Sequence, residues 1–100
     1  MPIADYAGAP VHGTDTAGAN TYAEVIAAPA RRRQPFTHLL AYCGSGGGDA
    51  LISLDAGTTD HIYLHAGTQI VLNGLEIRLA IHAKNDEAGK TFDNLHISAW

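Results

Sequence analysis

One hundred residues leave room for one small domain, and a chain of that length buries only about 60–65% of the surface its unfolded form exposes, so its stability margin is thin. Six Lys+Arg against ten Asp+Glu give a formal net charge of −4, which argues against general affinity for nucleic acid or for an anionic membrane. Hydrophobic residues make up 46% of the chain, but many are alanine, so large core side chains are scarcer than that fraction suggests and association with copies or partners would add stability.

The first stretch, Met1 to Thr21, is built from Ala, Gly, Thr, Asp and Pro with no period of 2 or 3.6. It reads as an extended N-terminal arm with no core of its own, one that packs along the body or along a neighbouring subunit, and Tyr6 is its candidate interface residue. Met1 to Ala30 contains no Lys or Arg and no long apolar run, so no signal peptide is expected, and no segment approaches the roughly 20 apolar residues of a membrane span.

Beyond the arm, residues 22–100 read as a β-domain of about seven strands separated by turn signals. The expected strands are Tyr22 to Ala28, Phe36 to Cys43, Ala50 to Leu54, Thr58 to Leu64, Thr68 to Leu72, Leu75 to Lys84 and Phe92 to Trp100. Between them lie Pro29 and the exposed loop Ala30 to Pro35, the run Gly44 to Asp49, the turns Asp55-Ala56-Gly57 and His65-Ala66-Gly67, and the pair Asn73-Gly74. Asn-Gly is a strong hairpin signal, because both residues tolerate the positive φ of a type I′ turn. In the strand Leu75 to Lys84, Leu75, Ile77, Leu79, Ile81 and Ala83 alternate with Glu76, Arg78, His82 and Lys84. The last strand repeats the pattern, with Leu95, Ile97 and Ala99 facing inward and Asn94, His96 and Ser98 outward. The fold class is all-β: a small antiparallel β-sandwich or jelly roll with an N-terminal arm.

Residues that could carry chemistry do not converge. His61 and His65 are four apart, which on a strand separates them by about 13 Å, too far to share a metal. No His-x-His pair of cupin type occurs, and Glu76 with His82 is a poor substitute. Cys43 has no partner for an internal disulfide and no neighbour at zinc spacing. The glycine runs lack the Lys-Ser/Thr context of a phosphate loop. The chain is therefore expected to have no catalytic residue, no metal and no cofactor, and not to be an enzyme. Arg31, Arg32 and Arg33 hold half of all Lys+Arg and read either as a solvated loop or as a docking patch for an acidic protein surface. Trp100 reads either as an interface residue or as the buried end of the sandwich.

The segment Ala50 to Thr68 with its "leucine-aspartate-x-glycine" and "alanine-glycine-threonine" turns, then Leu72 to Leu75, then Phe92 to Trp100, resembles the small β-rich virion proteins of tailed bacteriophages. The similarity covers roughly the last half of the chain and lies in turn signatures. It implies a capsid decoration or cement protein on the virion surface, made in the host cytoplasm, commonly a homotrimer bound to the major capsid protein and to neither nucleic acid nor membrane. A tail or neck component, or a small carbohydrate-binding module using Tyr63, His61 and His65, are the alternatives.

Overall fold

A computed structural model describes residues 10–16, 18–30 and 34–100. Eight strands are formed: β1 (Val11–Asp15), β2 (Ala23–Ile26), β3 (Leu39–Tyr42), β4 (Ala50–Ser53), β5 (Ile62–Leu64), β6 (Gln69–Leu72), β7 (Ile81–Asn85) and β8 (Leu95–Ala99). They build two four-stranded antiparallel sheets, sheet A in the order β1-β8-β3-β6 and sheet B in the order β2-β7-β4-β5. This is the jelly-roll arrangement, and no helix occurs among the described residues. Only β4 and β5 are consecutive strands paired in one sheet; every other connection passes from one sheet to the other.

The inner faces follow from period-2 alternation. Leu39, Ala41, Leu95, Ile97 and Ala99 of sheet A meet Ile26, Ala50, Ile52, Ile62, Leu64, Ile81 and Ala83 of sheet B, and all are buried. Alanine fills four of these positions at no more than 1% exposure, so the small side chains are core here and let the two sheets approach closely. Phe36 and Ile77 close one end through a two-way backbone bridge, Phe36 N–H to Ile77 at 3.0 Å and Ile77 N–H to Phe36 at 2.8 Å.

Two expectations are corrected. Val11–Asp15, inside the stretch expected to be an unpatterned arm, is a strand in full register with β8, from Val11 opposite Ala99 to Asp15 opposite Leu95. Its inward positions are Val11, Gly13 and Asp15, so the alternation carries no hydrophobic signal. Gly13 stands there because the chain passes so close to β2 that a Cβ would lie 2.2 Å from the Val25 carbonyl oxygen. Leu75–Ala80 is not strand: it is the crossover from sheet A to sheet B, bridged to Phe36 through Ile77 and to Thr37 through the Leu75 N–H, and regular pairing starts at Ile81. Asn73-Gly74 accordingly makes no β6–β7 hairpin; Gly74 has φ +69° while Asn73 stays out of the positive region.

Candidate assembly surface

The two outer faces differ in chemistry. On sheet B the outward positions are Glu24, His82, Lys84, Leu51, Ser53 and Tyr63, bordered by carboxylates. Tyr63 donates its hydroxyl to Asp49 at 2.7 Å and is 3.0 Å from Asp86, and these two carboxylates hold its ionisation above the usual tyrosine range. The Ala66 N–H, at 2.7 Å, and the Tyr63 hydroxyl in turn hold Asp49 below the usual carboxyl range. Tyr22 donates to Asp60, and Lys84 lies over the Tyr22 ring at 4.7 Å and 3.9 Å from Asp60. Partial burial, then Asp60, raises Tyr22 as well. This face is a charged, internally bonded surface.

Sheet A is the reverse. Register places Gln69, Tyr42, His96 and Thr14 in one outward row and Val71, Leu40, Ser98 and His12 in the next. His38 and Trp100 continue the alternation one step beyond β3 and β8, exchanging both backbone hydrogen bonds at 3.0 and 3.2 Å. No Asp, Glu, Lys or Arg stands in these rows. The rings pack on one another: Tyr42 on His96 at 5.1 Å and 18°, His38 on Trp100 at 5.2 Å and 7°, His12 beside His96 at 5.5 Å. Ser98 Oγ sits between His12 Nδ1 at 2.6 Å and His96 Nε2 at 2.9 Å, which fixes both imidazoles, and Thr37 Oγ1 fixes His38 Nδ1 at 2.8 Å. Tyr42 at 42% and Val71 at 55% exposure are among the most exposed large apolar side chains among the described residues.

Of the residues singled out from the sequence, Tyr6, Arg31, Arg32 and Arg33 lie outside the described residues. Trp100 is half-buried against its own chain, stacked on His38, which places it on the outer face of sheet A. His61 and His65 serve separate local tasks: His61 Nδ1 accepts the Leu54 N–H at 3.1 Å, while His65 lies edge-on to Tyr63 at 4.7 Å and 3.7 Å from Asp49. The Tyr63 hydroxyl is bonded to Asp49 and Asp86, and His61 is engaged with the Leu54 backbone and not with Tyr63. Cys43 is buried, and burial raises its thiol pKa. Sequence reading missed Tyr42, Leu40, His38 and His12 as a common surface, since only the long-range β1–β8–β3 register brings them together.

No family model matches the chain, and no curated protein does. A solved chain from Bacillus endospore appendages, described as forming a novel family of disulfide-linked pili, is similar in structure with a TM-score of 0.64 at 17% identity, covering 91% of this chain and 82% of that chain. At that identity the likeness shows the fold, a β-rich architecture shared over nearly the whole chain. The expected role as a phage capsid decoration protein is corrected by it: the similar chain belongs to a bacterial pilus and not to a capsid. The turn signatures behind the phage resemblance have a local cause. Ala56 and Gly57 at φ 59° and 89°, and Gly67 at φ 80°, take the left-handed backbone of tight corners.

Proposed function

We propose that this chain is a structural subunit that assembles with copies of itself, pilus-like, and is not an enzyme. The observation that carries this reading is the edge of sheet A. Among the described residues β6 pairs on one side only, with β3, and Gln69-Ile70-Val71-Leu72 holds no charge, no proline and no bulge. Natural edge strands are usually blunted by one of those devices, because an open row of N–H and C=O groups pairs with any strand that reaches it. The other edges are guarded: β2 carries Glu24 and a register break, β1 runs tightly against Val25 of β2, and β5 spans three residues between His61 and His65. Similarity to a pilus subunit supports the same reading.

The cross-linking chemistry named for those pili has no counterpart in this stretch, whose one cysteine is 3% exposed; assembly through these residues is noncovalent. A heterologous edge contact gives an open filament and a closing rotation gives a ring such as a trimer, so the oligomeric form is a measurable part of the proposal. Sedimentation over a concentration series, with electron microscopy of the concentrated protein, tests it. Oligomers or filaments are expected for the native chain, and their loss on replacing Gln69 and Val71 together by Lys. A native chain that stays monomeric throughout the series would overturn the reading.

A further inference from the structure

We infer that the ring-bearing outer face of sheet A is a second docking surface of the assembly, and that its occupant is the same face of another copy of this chain. The inference rests on the self-assembly reading and adds to it a face-on contact distinct from the β6 edge.

Charge selects the occupant. The chain carries a formal net charge of −4, and Glu24, Asp49, Asp60 and Asp86 lie on or around the outer face of sheet B. Two copies meeting through sheet B would set carboxylates against carboxylates, and like-charge juxtaposition is strongly unfavourable at an interface. The outer rows of sheet A hold no Asp, Glu, Lys or Arg, so a second copy can approach there without that penalty. Ring geometry argues against a glycan occupant. Sugars bind aromatic side chains through an open ring face, whereas Tyr42 and His96, and His38 and Trp100, stack nearly parallel on each other across neighbouring strands, so one face of each ring is already covered. Continuity with the β6 edge adds a third argument, since Gln69 and Val71 belong to both surfaces.

Size sets the strength of the contact. Four strands about 4.8 Å apart and five residues at about 3.4 Å each give a footprint of roughly 300 Å², well below the roughly 800 Å² per partner of a stable pair. Face-on contact is therefore weak in isolation and gains its effect by repetition among copies already held by their edges. A two-fold contact also places each residue near its own counterpart, so one introduced charge is felt twice.

The six histidines provide the test. His12, His38 and His96 lie on the outer face of sheet A, while His61, His65 and His82 lie on the sheet B side. Diethylpyrocarbonate modification, read by mass spectrometry on dilute and on assembled protein, should fall several-fold at His12, His38 and His96 on assembly and stay level at His61 and His65. Tyr42→Glu should reduce assembly while Tyr42→Phe retains it, both with native circular dichroism. If assembly occurs with equal protection of both sets, or with protection confined to the sheet B set, the face assignment fails and the edge reading survives. If the native protein never assembles, the self-assembly reading itself fails. Protection of His12, His38 and His96 by an added glycan in the dilute protein would overturn the choice of occupant.

Discussion

Single residues explain how tightly the corners are made. After β4, the Ser53 hydroxyl donates to Asp55 at 2.6 Å and accepts the Gly57 N–H at 2.9 Å, while the Thr59 N–H reaches the same carboxylate oxygen at 2.9 Å. Ser53 first, then Thr59, hold Asp55 far below the usual carboxyl range. A carboxyl group whose folded pKa is depressed contributes stability above its unfolded value and loses that contribution as pH falls toward the folded value. Denaturant midpoints should therefore decline from about pH 4 downward, and Asp55→Asn should flatten that decline, as a urea titration series would measure. Gly13 makes a steric demand. Gly13→Ala brings a Cβ against backbone that cannot swing aside, at a cost of about 1–3 kcal/mol, visible as a lowered Tm. Neither demand is legible in the sequence: Asp55 shows there as turn punctuation only, and Gly13 is one small residue in a stretch full of them.

At the scale of elements, the alternation of apolar and polar residues located seven of the eight strands at least in part and could not say which strands pair. In Leu95–Ala99 the inward set Leu95, Ile97 and Ala99 and the outward pair His96 and Ser98 match the alternation, because β8 is flanked by β1 and β3 and one side of it is dry, while Asn94, expected as an outward strand residue, precedes β8 with φ 52°. Leu75 to Lys84 alternates just as cleanly, yet its first half is crossover, because β6 and β7 belong to different sheets and the chain must travel between them. Asn73-Gly74 supplies the discriminating measurement. Gly74→Ala should cost about 1–2 kcal/mol through its left-handed backbone alone, with no neighbour within 4 Å of the new methyl. Asn73→Ala should change stability by less than about 0.5 kcal/mol. In a type I′ hairpin both would be harmful.

For the molecule as a whole, the sandwich class was legible because periodicity and turn spacing are local properties. The candidate surface was only partly so: His96 and Ser98 could be read as facing outward from one strand, Trp100 equally as interface or as the buried end of the sandwich, and their neighbours Tyr42 and His12 come from strands distant in sequence. The core has little redundancy. Ile52→Ala, at a fully buried position between Ala83 and Ile62, should cost about 2–5 kcal/mol and leave little folded protein at elevated temperature. Because Cys43 is enclosed, assembly measured by sedimentation should be the same with and without a thiol reductant; reductant-sensitive oligomers would show that the thiol becomes accessible.

The position of β7 and β8 governs the order in which the fold can arise. Both are interior strands, β8 between β1 and β3 and β7 between β2 and β4, yet in chain order they follow the other six. On the ribosome, β1 and β2 emerge long before the strands that will hold them, and β4 with β5 is the one hairpin able to close early. Every other ladder joins residues at least 27 apart in sequence, from Tyr42 with Gln69 to Val11 with Ala99, the circumstance that slows β-sheet folding. Until residue 99 has emerged, sheet A has only the β3–β6 pair to rest on, and the nascent chain must stay soluble without its central strand.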